Sequence, residues 1–187
     1  GRNSIEIISE GRCAYDLASI SPQSSLPPSY SQQNVSEIFR AIREALQQAQ
    51  LTKFHNDNKL DLIAICGQEH GVVLWCHEEI YDGNSIDFST ISDHYDWRDL
   101  RCDSTFLETL PTPDSYYDRL SSGYGCATIF WLLANEPAQL ERYNRAATIM
   151  DFFAAVICGS DHATITAQNA LTWGYFDPES GEWNVDM

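Results

Sequence analysis

Gln68-Glu69-His70 stands between two glycines, Gly67 and Gly71. An amide, a carboxylate and an imidazole in a row can exchange hydrogen bonds with hydroxyl groups, which is what a polyol offers. The glycines permit backbone angles or close approaches that other residues resist. Three further clusters have a similar character: Trp97 with Asp99 and Arg101, Gly123-Tyr124, and Gln168-Asn169. Polar groups of these types bond hydroxyls, while an aromatic ring covers the apolar face of such a ligand. Each cluster also has a plainer reading. The first would serve as a solvated turn between two strands, with His70 a satisfied, half-buried residue. Trp97 would be core, and Asp99 and Arg101 would pair with each other. Tyr124 would be structural, and Gln168-Asn169 would satisfy the backbone of a turn.

The elements that must position these clusters are legible as apolar runs. Leu62 to Ile65 is short, apolar and partly β-branched, which predicts a buried strand, and Val72 to Cys76 predicts another. Gln68-Glu69-His70 then lies in the bend between them. Upstream, Ser4 to Glu10 alternates polar and apolar residues, as a half-buried strand does. Ser21 to Gln33 is rich in Ser, Pro and Gln and reads as a surface loop. Ile38, Phe39, Ile42, Ala45, Leu46 and Ala49 recur at helical spacing behind a cap at Asn34 or Ser36, which predicts an amphipathic helix. Helix followed by buried strand suggests an α/β layer architecture. Lys53 to Lys59 and residues 84 to 95 read as loops. A strand end leads from Asp96 into a helix through Leu107, which Pro111 and Pro113 stop. Further helices are expected over Ala127 to Ala134, Ala138 to Tyr143 and Phe152 to Cys158, with Asp151 as a cap and Gly159 as a stop. Ala147 to Met150 and Thr164 to Thr166 read as strands.

Composition sets the limits. The 187 residues fit one domain with a real core, and 43% are hydrophobic. Acidic residues outnumber basic ones 27 to 11, giving a formal charge of -16. Such a surface repels phosphate backbones and speaks against nucleic acid as a partner. No apolar run reaches membrane-spanning length, and no signal peptide opens the sequence, so a cytoplasmic location without membrane contact is expected. The six cysteines have neither zinc-site nor disulfide-scaffold spacing, and Cys66, Cys76 and Cys158 are expected to be buried. Phosphate-loop, dinucleotide and nucleophile-elbow motifs are absent. His77-Glu78-Glu79 begins like a zincin motif but has Tyr81 where the second histidine belongs. No catalytic or metal-ligating residue is assigned on these grounds.

Four segments, taken in order, resemble the FGGY-family carbohydrate kinases. Cys66-Gly67-Gln68-Glu69-His70-Gly71 is similar to their SGQMHG segment, and Trp97 to Cys102 to their WxDxRC segment. Gly123-Tyr124-Gly125-Cys126-Ala127-Thr128-Ile129-Phe130-Trp131-Leu132-Leu133 resembles GFGCATIFWLL of the sedoheptulokinase branch. Ala167 to Phe176 resembles QNAASWGYF of the same branch, and Trp183-Asn184-Val185 continues it. The resemblance covers about residues 5 to 187. It implies an actin-like (ribonuclease H-like) α/β domain, a mixed sheet with flanking helices, incomplete at both ends. Residues 1–187 would be part of the N-terminal sugar-binding domain, partnered by a C-terminal kinase domain. Glu69 and His70 would contact sugar hydroxyls, Trp97 would wall the pocket, and Gly123 and Tyr124 would line it. Asp99 and Arg101 would brace it from behind. ATP and Mg²⁺ would be the cofactors of the full-length enzyme, and sedoheptulose the substrate. The family's phosphate-handling hairpin would precede residue 1 and its catalytic aspartate would follow Met187, so the chain alone is expected to be inactive. Two departures stand out: Glu69 replaces the usual methionine and Arg98 a neutral amide. They keep open a kinase for another ketose, such as xylulose or ribulose, while the absent ends keep open a non-catalytic sugar- or protein-binding module.

Overall fold

The computed structural model describes residues 6–14, 26–50, 62–83, 85–112 and 120–184. The loop expected at Lys53 to Lys59 lies outside them, as do Pro113 and the first two residues of the opening strand.

The described elements, in chain order, are β1 (Gln32–Gln33), α1 (Val35–Ala49), β2 (Val73–Trp75), β3 (Tyr81–Asp82), β4 (Ser85–Ile86), β5 (His94–Tyr95), α2 (Ser104–Leu107), α3 (Gly125–Asn135), α4 (Pro137–Leu140), β6 (Arg145–Ala147), α5 (Ile149–Cys158), α6 (Ala167–Leu171), β7 (Phe176–Asp177) and β8 (Glu182–Trp183). Pairing runs β1 with β5 and β2 with β6, and the bridge Val72–Tyr95 joins the two pairs. β3 with β4 and β7 with β8 form separate hairpins. These pairings are all antiparallel, so the mixed sheet expected from the resemblance is not seen among the described residues.

β2 explains the layering. Successive side chains of a strand face opposite ways. Val73 and Trp75 enter a cluster with Ile38 and Phe39 of α1 and Phe152 of α5. Val72 and Leu74 enter another with Tyr95, Leu132 of α3 and Trp173. Helices therefore cover both faces, which is why this run is continuously apolar.

α1 forms as its sequence dictates. Asn34 accepts from the Glu37 backbone N–H at 3.2 Å, satisfying a donor that the first turn leaves free. Val35, Ile38, Phe39, Ala41 and Ala49 are its buried face. α5 starts earlier than expected. Thr148 is its cap, Asp151 sits in its first turn, and the strand before it is Arg145–Ala147 rather than Ala147 to Met150. Gly159 ends it at φ 59°. Residues 84 to 95, expected as loop, contain β4, a 3-10 turn and β5. Thr164 to Thr166 is not a strand, and Thr166 caps α6. The helix expected from Ala138 to Tyr143 is the single turn Pro137–Leu140.

The largest correction is at Leu62 to Ile65, expected as a buried strand. These residues join no ladder, and Leu62 and Ile63 are 85% and 58% exposed. Residues 6 to 10 likewise form no strand, with Ile7 and Ile8 exposed. A strand needs a paired edge and a covered face. Among the described residues nothing supplies either, so the run lines an apolar groove of about 1240 Å³ against α1, Met150, Phe153 and Ile157. Cys66 and Cys158 are exposed and Cys76 is half-buried, against the burial expected of all three. No described helix is long and apolar enough to cross a membrane.

Candidate functional site

The structure brings the four polar clusters to one end of the layers. Gly71 leads into β2 so tightly that a Cβ there would overlap Tyr95 O and stand 2.5 Å from His94 Nε2. Only a glycine lets the bend that carries Glu69 and His70 sit this close to β5. His70 stacks on Tyr124, with centroids 4.9 Å apart and planes 9° from parallel. Its Nδ1 lies 3.4 Å from Thr172 O. A carbonyl only accepts, so His70 donates through Nδ1 in this contact. Glu69 is held by the same helix, where Gln168 Nε2 donates to its Oε1 at 2.8 Å. Gly123 has φ 81°, and a Cβ there would collide with the Trp97 carbonyl. Gly123 thereby seats the Tyr124 turn directly on the Trp97 backbone. Trp97, read as a core residue on type alone, is 54% exposed.

Behind these residues lies a hub of two buried carboxylates. Asp96 accepts from Ser31 Oγ at 2.7 Å, Gln33 Nε2 at 2.8 Å and Arg98 Nη2 at 2.6 Å through Oδ2. Its Oδ1 takes the Arg98 backbone N–H and Nε at 2.8 and 3.0 Å. Burial pushes this carboxyl up, but the Arg98, Ser31 and Gln33 donors outweigh it and hold it below the usual carboxylate range. Asp99 grips Arg101 through Nε and Nη2 at 2.8 and 3.0 Å and accepts the Ser31 N–H at 2.9 Å. The Arg101 guanidinium lies 4.5 Å from the ring centroids of both Tyr30 and Tyr95 and 5.1 Å from that of Trp131. Such contacts favour a desolvated cation. Ser122 Oγ donates to Asp99 O at 2.9 Å, tying the hub to the glycine turn. Gln68 joins from the other side, donating to Gln33 Oε1 at 3.2 Å.

Asp99 and Arg101 pair as the sequence suggested and stay away from solvent. Of Gln168-Asn169, the first reaches Glu69 and the second donates to Asp151 at 3.1 Å. Ser31, Gln33 and Asp96 were not singled out from sequence. Ser31 and Gln33 reach Asp96 across more than 60 positions and lie in the Ser/Pro/Gln loop, so no local pattern marks them. Buried His94, without a hydrogen-bond partner among the described residues at either ring nitrogen, was also missed. Burial lowers it to about 4, so it packs beside Gly71 as a neutral ring. Burial raises the Cys102 and Cys126 thiols to about 12, which removes both as nucleophiles at neutral pH. The described residues contain no group of three His, Cys, Asp or Glu fit to hold a metal. The arrangement is thus a hydrogen-bonding and aromatic surface.

No family model matches the chain. Among curated proteins it is 38% identical over 169 residues to the sedoheptulokinase of Mus musculus and 39% identical over 169 to that of Homo sapiens. Each match covers 85% of this chain and 34% of the relative, so the chain spans about a third of their length. Among solved structures, a xylulose kinase from Rhodospirillum rubrum superposes with a TM-score of 0.69 at 19% identity. That match covers 87% of this chain and 33% of the kinase. Glycerol kinase from Plasmodium falciparum, solved with ADP, gives 0.61 at 14% identity, over 89% and 33% respectively. These likenesses place the observed helix and strand order within the sugar-kinase, actin-like fold. Over the third of their length that it spans, the chain resembles the sedoheptulokinases, and its fold is the one that the sugar-kinase structures share.

Proposed function

We propose that this chain is the sugar-binding part of a cytoplasmic, ATP-dependent ketose kinase that phosphorylates the terminal primary hydroxyl of sedoheptulose. The observation that carries this reading is the convergence of Glu69, His70, Gly123, Tyr124 and Trp97 at one end of the layers, beside a 38% identity to a sedoheptulokinase. In this reading His70 Nε2 bonds a sugar hydroxyl while Tyr124 keeps its ring in place. Trp97 covers the apolar face of the sugar, and Gly123 lets the Tyr124 turn approach it. The Asp96 and Asp99 hub holds the three loops in register, because misplacement by about an ångström is costly to a transfer reaction.

MgATP would supply the phosphoryl group, whose charge metal and donors neutralise during transfer. The described residues do not assemble a metal site, so no step is assigned to the metal or the nucleotide here. A domain that binds the nucleotide would be the partner of this one, and the chain alone would not turn over.

The test is a phosphoryl-transfer assay with sedoheptulose, xylulose and ribulose. It is run on this chain and on the chain extended to the length of its relatives. Turnover by the extended protein alone, with sedoheptulose preferred, supports the reading. Silence of both, with sugar still raising the melting temperature, favours a non-catalytic binding module. Trp97→Ala in the extended protein should weaken sugar binding by about 1–3 kcal/mol through lost contact and desolvation. An unchanged KM would remove Trp97 from the pocket.

A further inference from the structure

We propose that the pocket walled by Tyr30, Tyr95 and Arg101 is a second ligand site, one that takes a free amino acid with a basic side chain. The pocket has a volume of about 460 Å³, within the range of small-molecule sites. It shares no lining residue with Glu69, His70, Trp97, Gly123 or Tyr124, and the inference does not depend on the sugar-kinase reading. What marks this pocket is charge left open. Asp93, Glu136 and Arg142 all line it. Among the described residues none of their side chains forms an ion pair. Arg142 is exposed and has only the Tyr143 ring, whose centroid lies 5.8 Å away. Asp93 and Glu136 are half-buried, and burial pushes the Asp93 carboxyl up. Arg101 does not answer them, because its Nε and Nη2 are committed to Asp99.

A charged group partly removed from water gains from a counter-charge that arrives with a ligand. Two carboxylates and one guanidinium lack theirs in this cavity. The complement is two cations and one anion on one small molecule. An amino acid with a basic side chain carries that set: an α-ammonium, a carboxylate and a second cation. The ring of Tyr143 and the side chain of Ile91, both in the lining, offer apolar surface to its aliphatic stem. A phosphate or dicarboxylate fits worse, since it would meet two carboxylates with one free guanidinium. The formal charge of -16 on the whole chain likewise draws cations and repels anions.

The experiment titrates this chain calorimetrically with three ligands. Arginine carries all three charges. Citrulline has nearly the same shape without the side-chain charge, and agmatine lacks the carboxylate. Arginine should bind and raise the melting temperature with concentration, as a ligand of the folded state does. Citrulline and agmatine should each bind about tenfold more weakly, the loss expected of one charge-assisted contact. Arg142→Gln should weaken arginine about tenfold and leave agmatine unchanged, because agmatine has no group for that residue to hold. Asp93→Asn and Glu136→Gln should each weaken arginine about tenfold, and one of the two should leave citrulline unchanged. A variant that merely loosened the fold would weaken all three ligands alike. Should Asp93→Asn fail to fold, the comparison at exposed Arg142 stands by itself. Equal affinity for the three ligands, equal loss of arginine and agmatine in Arg142→Gln, or neither heat nor a melting shift with millimolar arginine would overturn the inference. Each of those results would leave the sugar-kinase reading standing, since its own test uses ketoses and the extended protein.

Discussion

Residues 94 to 101 and residues 62 to 67 differ most in how their needs are met. In the first region, two buried carboxylates receive nine hydrogen bonds from backbone and side-chain donors among the described residues and anchor three loops. In the second, apolar side chains that would be expected to drive folding stand exposed along a groove. Polar satisfaction needs a few well-aimed partners, all present in this chain. Hydrophobic satisfaction needs area, and the residues that line the groove do not cover each other. The candidate site draws on the first region, whereas the groove stays open among the described residues.

Removing the centre of the polar region should have the largest effect. Arg101→Met leaves Asp99 buried without its main counter-charge, and breaking such a pair costs about 3–5 kcal/mol. Urea unfolding should show a midpoint lowered to match. A loss below about 1 kcal/mol would mean that Ser31 N–H and the local backbone suffice, and that the hub is no stronger than a surface pair.

Acid should come next. His94 titrates near 6.5 when unfolded and near 4 in the fold, where burial disfavours its charge. Between these values the unfolded chain binds more protons, so stability falls as pH is lowered through that window. The difference amounts to about 3 kcal/mol. Asp96, also held low, adds a loss of the same sign at lower pH. Melting temperatures between pH 7 and 4 would check this, with His94→Leu as the variant that should flatten the slope. An unaltered slope would move the acid sensitivity away from the Gly71 contact.

Gly123→Ala tests whether the site depends on the hub through a single close approach. Its positive φ and the Trp97 carbonyl both oppose a side chain. A cost of about 1–3 kcal/mol is expected. The Trp97 fluorescence environment should change with it, since the turn can no longer rest on that backbone.

The two regions were also unequally legible. α1 could be read because its cap at Asn34 and its apolar spacing are local. The candidate site could be located because Gly71 and Gly123 mark places where the chain passes too close for a side chain. The hub behind it could not, because Ser31 finds Asp99 across 68 positions and nothing near either residue announces the other. Only the plainer reading of Trp97, as core, fails here. Its backbone packs against Gly123 while its ring faces outward, which residue preferences cannot separate. Leu62 to Ile65 was misread because burial was inferred from composition. Apolar sequence shows that a segment gains from cover, but cover has to come from another element.

That distinction yields the smallest expected effect. Leu62 is 85% exposed, so Leu62→Ser in this chain removes little buried area and should change stability by less than about 0.5 kcal/mol. The same substitution in a longer protein whose added segments pack on the groove should cost about 1.5–3 kcal/mol, the worth of a fully buried leucine. Unfolding curves for both lengths, each with and without the substitution, give the comparison. A large loss in the short chain that grows with protein concentration would mean that copies of the chain already cover one another there. A large loss independent of concentration would mean that Leu62 is buried within the monomer in solution, and the contrast between the two regions would fail.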